Sequence, residues 1–166
     1  QPFYAQLCRI NARVNKLDGC MKVLCEDFLS SGEDGESADL IFSNPPFFPK
    51  SSGRISPNQE VALAKWEISL DVGSLLRSAK KWLAKQGRLV MILPGDREEE
   101  YRRSFAEQSF NIERYRPVRS FADSKTERFL IQLSAETAVE QRQPPLVIFS
   151  GPGVYSDEMS AVLRGK

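Results

Sequence analysis

Histidine is absent from the 166 residues of this chain, and its absence excludes several kinds of catalytic site. Serine and cysteine nucleophiles cannot be paired with a histidine base, and no histidine is available as a general acid or base. The three cysteines, Cys8, Cys20 and Cys25, lack the spacing of a metal site. We therefore expect no bound metal, and we expect these cysteines to be reduced and mostly buried.

Long apolar runs and a strong net charge are also missing. The chain has no stretch of 18 apolar residues and no signal-peptide pattern, so we expect no membrane contact and a cytoplasmic location. Its net charge of +1 gives no overall field that attracts nucleic acid, so a polyanionic partner would need a local basic patch. A length of 166 residues with 41% hydrophobic residues fits one globular domain.

Segments with strand-like and helix-like apolar spacing alternate along most of the chain. Apolar residues at steps of three and four predict helices over 1–15 and 72–83. Short β-rich runs predict strands over 21–25, 38–43, 88–93, 111–118 and 128–134. The alternation predicts an α/β fold with a largely parallel sheet, and the helix-free link between the last two strands predicts an antiparallel pair at one edge. We expect residues 139–166 to form a C-terminal tail that packs on this domain.

The most informative motif is Asn44-Pro45-Pro46-Phe47, which directly follows the strand predicted at 38–43. In an open α/β sheet, ligands bind beyond the carboxyl ends of the strands, which is where Asn44 is expected. The Asn44 side chain and the Pro45 carbonyl can accept two hydrogen bonds from a planar amino group and so orient its lone pair. Proline fixes φ and removes a donor, so the turn is stiff. Phe47 offers a face on which a base can stack.

This motif resembles the catalytic motif of S-adenosylmethionine-dependent methyltransferases that act on amino nitrogens, chiefly adenine N6 and glutamine N5. The resemblance implies a Rossmann-like methyltransferase sheet, with S-adenosyl-L-methionine as the cofactor. Catalytic roles are implied for Asn44, Pro45, Pro46 and Phe47. Cofactor-binding roles are implied for Asn44, for Asp27 as an acceptor for the amino group of the cofactor adenine, and for Phe28 as a neighbour of that ring.

The residues after the motif indicate which subgroup of these methyltransferases the chain resembles. Residues 50–67 contain Ser-Pro-Asn-x-Glu before an Ala/Leu-rich helical pattern, which is similar to a loop of bacterial tRNA(Val) adenine-N6 methyltransferases. Residues 144–149 and 153–158 are similar to the C-terminal tail of the same enzymes, so the resemblance covers nearly the whole chain. It implies RNA, and specifically tRNA, as the substrate. Substrate-binding roles are implied for Phe47, Lys50, Arg54, Asn58 and Arg119.

The family's glycine-rich cofactor loop is missing. No glycine precedes Gly19, and Gln1-Pro2 resembles the residues after the family's second strand. Since the family's strand order is 3-2-1-4-5-7-6, we expect residues 1–166 to be an N-terminally truncated methyltransferase domain that lacks its first two strands. The strand at 38–43 would then be an open edge. A missing N-terminal segment or a partner chain would complete the sheet, and this chain alone should bind cofactor poorly.

Two other functions remain open on the sequence alone. A protein-glutamine N5-methyltransferase of the release-factor type shares the Asn-Pro-Pro-aromatic motif, although residues 50–67 and the tail favour the tRNA enzymes. A non-catalytic RNA-binding fragment is supported by the missing glycine loop. The near-zero net charge disfavours strong autonomous RNA binding.

Overall fold

A computed structural model describes residues 1–31, 37–46 and 71–165 of the chain. The described helices are α1 (Pro2–Val14), α2 (Val72–Trp82), α3 (Glu98–Glu107) and α4 (Asp157–Leu163), and a 3₁₀ turn (Gly95–Arg97) precedes α3. The described strands are β1 (Ala38–Ser43), β2 (Leu83–Pro94), β3 (Asn111–Arg119), β4 (Arg128–Ser134), β5 (Gln141–Arg142), β6 (Leu146–Val147), β7 (Phe149–Gly151) and β8 (Val154–Tyr155). Among these residues, no helix is long and apolar enough to cross a membrane.

The strands β1 to β6 form one mixed sheet, whereas β7 and β8 form a separate hairpin. The order along the sheet is β1-β2-β4-β3-β5, and β6 also pairs with β3. β1 and β2 are parallel, β4 is antiparallel to both β2 and β3, and β5 and β6 are parallel to β3. Of the described strands in this sheet, only β4 therefore runs in the opposite direction. As a result, the carboxyl ends of β1, β2, β3 and β6 share one edge.

Most of the predicted strands are confirmed. The strands expected at 38–43, 111–118 and 128–134 are β1, β3 and β4, and the strand expected at 88–93 lies inside the longer β2. The observed order β1-β2-β4-β3 is the 4-5-7-6 part of the strand order that the resemblance implies. The antiparallel pair lies inside the sheet rather than at its edge, because β5 and β6 add to the far side of β3.

The prediction of a strand over 21–25 is wrong. This segment has no regular secondary structure, and none of the described strands pairs with it. Backbone donors and acceptors form a strand only when a neighbour satisfies them, so an alternating apolar pattern is not sufficient. The Arg9 guanidinium instead donates to the Val23 carbonyl over 3.1 Å and ties the segment to α1.

One face of the sheet packs against α2 and α3, and this layer is the main hydrophobic core. Alternate residues of a strand point to the same side, and the buried sheet residues are Leu89, Met91, Leu93, Tyr115, Phe129, Ile131 and Leu133. The helices add Val72, Leu75, Leu76, Ala79, Tyr101 and Phe105, spaced so that each set lies on one helix face. Asp71 caps the N-terminus of α2, and its carboxylate accepts a hydrogen bond from the Ser74 N–H over 2.9 Å.

Apolar side chains of β1 and α1 are exposed to solvent in the part of the chain that the structure describes. Leu40 and Phe42 of β1 are 58% and 81% exposed. α1 also exposes its apolar stripe, which consists of Phe3, Leu7, Ile10 and Val14, and it buries Ala5 and Ala12 instead. Cys8, Cys20 and Cys25 are free and exposed, so the expectation that they are mostly buried is wrong. The reason is that α1 and the segment after it lie outside the main core.

Replacing Gly95 by alanine is expected to destabilise the protein by about 1–3 kcal/mol, as typical overpacking does. A Cβ atom at this position would lie 2.3 Å from the Thr126 carbonyl oxygen. The two backbones are held together there, because the Gly95 N–H donates to the Glu127 carbonyl over 2.9 Å. Gly151→Ala is the matched control, since nothing lies within 4 Å of a Cβ atom there. Urea unfolding measures both variants, and equal stabilities would contradict the close approach of these loops.

Candidate functional site

The Asn-Pro-Pro motif lies at the carboxyl end of β1, on the sheet edge that β2, β3 and β6 share. Ser43, the last residue of β1, pairs with Met91, and β2 continues beyond this level. Asn44 is exposed, Pro45 is buried and Pro46 is half-buried. Because a buried proline fixes the backbone beside Asn44, an exposed amide stands on a stiff support at the end of the strand.

An exposed amide at this place can bind a planar amino group. The side-chain oxygen of Asn44 is a hydrogen-bond acceptor with two lone pairs. Pro45 and Pro46 have no N–H, so the backbone after Asn44 offers carbonyl acceptors without competing donors. An amino group held by such acceptors has a fixed orientation, and orientation of this kind lowers the barrier for attack on an electrophilic carbon.

Asp27 lies in a tight turn rather than at the end of a strand. Its Oδ1 atom accepts a hydrogen bond from the Leu29 N–H over 3.1 Å, and its carbonyl accepts from the N–H groups of Ser30 and Ser31. This Asx-type turn orients the carboxylate, and the residue is exposed. A carboxylate has capacity for several donors, so the turn leaves room for a ligand amino group. The cofactor-binding role of Asp27 stays a prediction.

Phe28 fixes this turn against the core. The ring is partly buried and packs against the main hydrophobic core. The Ser78 hydroxyl of α2 donates to the Leu29 carbonyl over 3.4 Å, which joins the turn to α2. Phe28 therefore has a packing role that the sequence did not indicate, and its contact with a ligand ring stays a prediction.

A groove of about 570 Å³ lies between α1 and the segment that precedes Asp27. Its lining residues are Gln1, Tyr4, Ala5, Cys8, Val23, Leu24, Cys25 and Glu26. This volume falls within the range of small-molecule sites, and the walls are mostly apolar with a few polar groups. Asp27 directly follows Glu26, the last residue that lines the groove.

The other predicted site residues are only partly described. Phe47, Lys50, Arg54 and Asn58 lie outside the described residues, so their roles stay predictions. Arg119 ends β3 and therefore lies on the same edge as Asn44. Three strand spacings separate β1 from β3 in the sheet order, which corresponds to about 14 Å. Arg119 and Asn44 thus share an edge without being neighbours, and the RNA contact of Arg119 also stays a prediction.

Part of the Arg119 side chain is engaged within its own loop. Its Nη1 atom donates to the Ala122 carbonyl over 3.2 Å. Its Nε atom is buried and has no acceptor among the residues that the structure describes. A buried donor without a partner carries a free-energy cost.

A cluster of ion pairs joins α3, β3 and the C-terminal segment, and sequence reasoning missed it. Arg102 donates to both carboxylate oxygens of Glu140 over 2.9 and 3.1 Å and to Glu98 over 2.8 Å. The Tyr115 hydroxyl donates to Glu98 over 2.7 Å. The guanidinium groups of Arg102 and Arg142 lie 5.1 and 5.0 Å from the centre of the Tyr115 ring. Apart from the i,i+4 pair Glu98–Arg102, no local pattern links α3 to Tyr115 or to Glu140, because these residues come from three separate parts of the chain.

Interactions within this cluster stabilise the ionised form of Glu140 and the protonated form of Tyr115. The hydrogen bonds from Arg102, more than any other interaction, hold the pKa of Glu140 below its ordinary value of 4.5. Burial and the hydrogen bond to Glu98 raise the pKa of Tyr115 to about 12. At neutral pH, the cluster therefore keeps an ionised Glu140 and a protonated Tyr115, and it holds the C-terminal segment against β3.

Lowering the pH through the acidic range is expected to destabilise the protein partly through Glu140. Because its pKa is lower in the folded state, its stabilising contribution is complete well above pH 4.5 and is lost as the pH falls through the folded-state pKa. Glu140→Gln should reduce the unfolding free energy by about 1 kcal/mol at neutral pH and flatten its dependence on acidic pH. Glu107→Gln, at an exposed position of α3, is the control. Parallel pH curves for Glu140→Gln and the unmodified protein would contradict this account.

Two further features of the site region concern possible ligands. Three aromatic rings, Phe121, Phe149 and Tyr155, meet beside the loop after β3. The sequence did not reveal them, since only the pairing of β6 with β3 brings residue 149 near residue 121. Within residues 1–31, 37–46 and 71–165, no group of three or more potential metal ligands occurs.

The chain is similar to curated bacterial tRNA methyltransferases, although no protein-family model matches it. It is 31% identical over 165 residues to the tRNA1(Val) (adenine(37)-N6)-methyltransferase of Porphyromonas gingivalis strain W83, a match that covers 95% of this chain and 64% of that protein. It is 31% identical over 126 residues to the protein of the same name from Parabacteroides distasonis, with coverages of 76% and 52%. The chain thus spans less than two thirds of the length of these relatives.

Solved structures show the same fold. A predicted O-methyltransferase, protein Atu636 from Agrobacterium tumefaciens, matches with a TM-score of 0.69 at 14% identity, over 97% of this chain and 72% of that one. The ribosomal protein L11 methylase from Lactobacillus delbrueckii subsp. bulgaricus matches with a TM-score of 0.50 at 14% identity, over 78% and 51% of the two chains. At these identities, the likeness establishes a methyltransferase-like fold and nothing finer.

Proposed function

We propose that this chain, a homologue of the bacterial tRNA1(Val) (adenine(37)-N6)-methyltransferases, is part of an S-adenosylmethionine-dependent enzyme that methylates the N6 atom of an adenine in tRNA. The observation that carries the proposal is the exposed Asn44 amide beside the buried Pro45 at the carboxyl end of β1. Ligands of open α/β sheets bind at this kind of position. The missing histidine is compatible with this reaction, which needs no histidine base.

The residues of the chain bind and orient the amino group. S-adenosylmethionine, when bound, would supply an electrophilic methyl carbon, and its sulfur–methyl bond would break as the methyl group leaves, so that S-adenosylhomocysteine is released. The Asn44 side-chain oxygen and the Pro45 carbonyl accept the two amino hydrogens, which reduces conjugation of the nitrogen with the ring and directs its lone pair to the methyl carbon. After the new N–C bond forms, the surplus proton leaves the nitrogen to solvent, for which the exposed position of Asn44 provides access. Catalysis then comes mainly from positioning.

The remaining site residues have supporting roles in this proposal. Pro46 stiffens the turn and Phe47 stacks on the target base. The Asp27 turn and Phe28 hold the cofactor adenine at the groove beside α1. The RNA backbone is contacted by Lys50, Arg54, Asn58 and Arg119, and tRNA is the nucleic-acid partner.

Asp27→Ala is expected to weaken S-adenosylmethionine binding about tenfold in the natural full-length protein. The reason is the loss of a charged acceptor for the adenine amino group, since hydrogen bonds to charged groups contribute about 1.5–3 kcal/mol. Asp18→Ala removes an exposed carboxylate from another turn and is the control. Isothermal titration calorimetry measures both dissociation constants. An unchanged constant in Asp27→Ala would remove Asp27 from the cofactor site.

We further propose that residues 1–166 form one methyltransferase domain whose sheet lacks its first two strands in this chain, with 139–166 as a tail on it. The exposed Leu40 and Phe42 on β1 and the exposed apolar stripe of α1 support this arrangement, because such surfaces favour further pairing and packing. Either another segment of the natural protein or a partner chain would cover them. Slower amide hydrogen exchange in β1 of the full-length protein than in these 166 residues would support the proposal, and equal rates would contradict it.

The proposed function is tested by identifying the methyl acceptor. The full-length protein is incubated with a cell extract and S-adenosylmethionine labelled in its methyl group. Label that survives protease but not ribonuclease supports RNA methylation. Label that survives ribonuclease but not protease supports the glutamine N5-methyltransferase alternative. RNA binding without any labelling supports the non-catalytic alternative.

A further inference from the structure

Three aromatic rings contact one another in a row beside the loop that follows β3, with Phe121 tilted by 39° to Phe149, and this row is called the stack below. The Phe121 and Phe149 rings lie 5.8 Å apart between centroids, and the Phe149 and Tyr155 rings lie 5.2 Å apart and nearly parallel, at 14°. Phe149, in the middle, is partly buried, whereas the outer rings of Phe121 and Tyr155 are 37% and 47% exposed. The two outer rings are therefore partly accessible to solvent on either side of a partly buried centre.

Backbone hydrogen bonds hold the stack just beyond the sheet edge at which the carboxyl ends of β1, β2, β3 and β6 lie. β6 pairs in parallel with the end of β3, and the N–H groups of Ile148 and Phe149 donate to the carbonyls of Arg119 and Ser120 over 2.9 Å. The β7–β8 hairpin then turns through Gly153, at a φ of +72° that suits glycine. Below the hairpin, the Ser156 hydroxyl donates to the Val147 carbonyl over 2.6 Å.

The stack lies on the same edge as Asn44 but not beside it. β3 is three strand spacings from β1, or about 14 Å. This separation is too large for the stack to contact a base that Asn44 holds. It is suitable for nucleotides further along the same RNA strand. A contact there would fix the register of the RNA without touching the reacting atoms.

The charges near the stack are balanced, which favours stacking over phosphate attraction as the source of affinity. The loop after β3 carries Asp123, Lys125 and Glu127, the strand ends beside it carry Arg119 and Arg128, and Asp157 follows Tyr155 by two positions. Aromatic side chains bind bases without dependence on base identity, because every base has a π face.

We propose that the outer rings of Phe121 and Tyr155 bind a nucleobase of the tRNA substrate that lies outside the target adenine. The stack is a second RNA contact, and it sets which adenine reaches Asn44. This inference rests on the proposed function, because it takes tRNA as the substrate. It adds a contact that acts through base stacking rather than through the Asn-Pro-Pro motif.

The test measures binding of a fluorescently labelled tRNA anticodon stem-loop to the full-length protein by anisotropy. Phe121→Leu and Tyr155→Leu are each expected to weaken binding about 5- to 100-fold, the range for loss of one base–aromatic stack. Tyr155→Phe keeps the ring and should bind as the unmodified protein does. Val139→Ala removes an exposed apolar side chain outside the three rings and should also leave binding unchanged. The loss should be the same at low and high salt, unlike a loss of phosphate contacts.

A second measurement does not depend on how the variants fold. Ultraviolet cross-linking of the unmodified complex, followed by mass spectrometry, should find nucleotide adducts on Phe121 or Tyr155. Normal RNA affinity in both leucine variants, or adducts elsewhere only, would overturn the inference while leaving the proposed function intact. If the unmodified protein methylates a protein and does not bind tRNA, the proposed function and the inference fail together.

Discussion

Replacing Asn44 by alanine is expected to lower kcat for tRNA methylation by about 100- to 1,000-fold, the usual cost of removing one preorganised hydrogen-bonding group from a reacting centre. The free energy of unfolding should hardly change, because Asn44 is exposed and lies outside the strand ladder. The affinity for S-adenosylmethionine should change much less than kcat. Single-turnover methylation assays with the full-length protein, together with urea unfolding, separate these effects.

Two other variants test whether the loss of rate depends on an amide at the position of Asn44. Asn44→Gln keeps the amide but moves it by one methylene, and a displacement of about 1 Å is expected to cost on the order of 100-fold in rate. Asn11→Ala removes an exposed asparagine from α1 and should leave the rate unchanged. A normal rate in Asn44→Ala would show that the amino group is held by other residues, and it would end the assignment of this edge as the reacting centre.

Replacing Phe129 by alanine is expected to reduce the free energy of unfolding by about 3–5 kcal/mol. Phe129 of β4 is fully buried, and its ring stacks on that of Tyr115 at 5.5 Å and contacts that of Tyr101 at 6.2 Å. Its removal would leave a cavity where the sheet meets α3. Because typical domains have a stability of about 5–15 kcal/mol, a loss of this size is a large part of the total.

With these 166 residues as the protein measured, Phe3→Ala is the matched control for Phe129→Ala, since the Phe3 ring is 61% exposed there and its loss should change stability by less than about 0.5 kcal/mol. If Phe129→Ala does not fold, Phe129→Leu should still fold and show a smaller loss, because most of the buried volume is kept. Chemical denaturation measures all three variants. Equal stabilities for Phe3→Ala and Phe129→Ala would contradict the described packing of the sheet on α3.

The sequence predicted the part of the fold in which local pattern and tertiary packing agree. The apolar runs that became β1, β2, β3 and β4 were identified because all four are paired in the sheet, and β2, β3 and β4 also place buried residues in the core. The same reasoning failed at residues 21–25, where the pattern is apolar but no described strand satisfies the backbone. The prediction that the cysteines are buried was also wrong. The cysteines lie on α1 and on the segment after it, which are outside the core.

The candidate site was predictable only where its residues are adjacent in sequence. The motif at Asn44 was found from its residue types, and its place at a strand end follows from the strand before it. The Arg102–Glu140 pair joins residues 38 positions apart, and the Phe121–Phe149 contact depends on β6 adding to β3. Contacts of this kind are set by strand register, which single-sequence patterns do not determine.

Nucleoside mass spectrometry of tRNA is the most direct test of the central claim that Asn44 and Pro45 present an adenine amino group for methylation. The full-length protein and its Asn44→Ala variant are each incubated with S-adenosylmethionine and tRNA from cells that lack this enzyme. We predict that N6-methyladenosine appears with the unmodified protein and is absent, or reduced about 100-fold or more, with Asn44→Ala. Equal amounts of N6-methyladenosine with both proteins, or none with the unmodified protein, would contradict the claim.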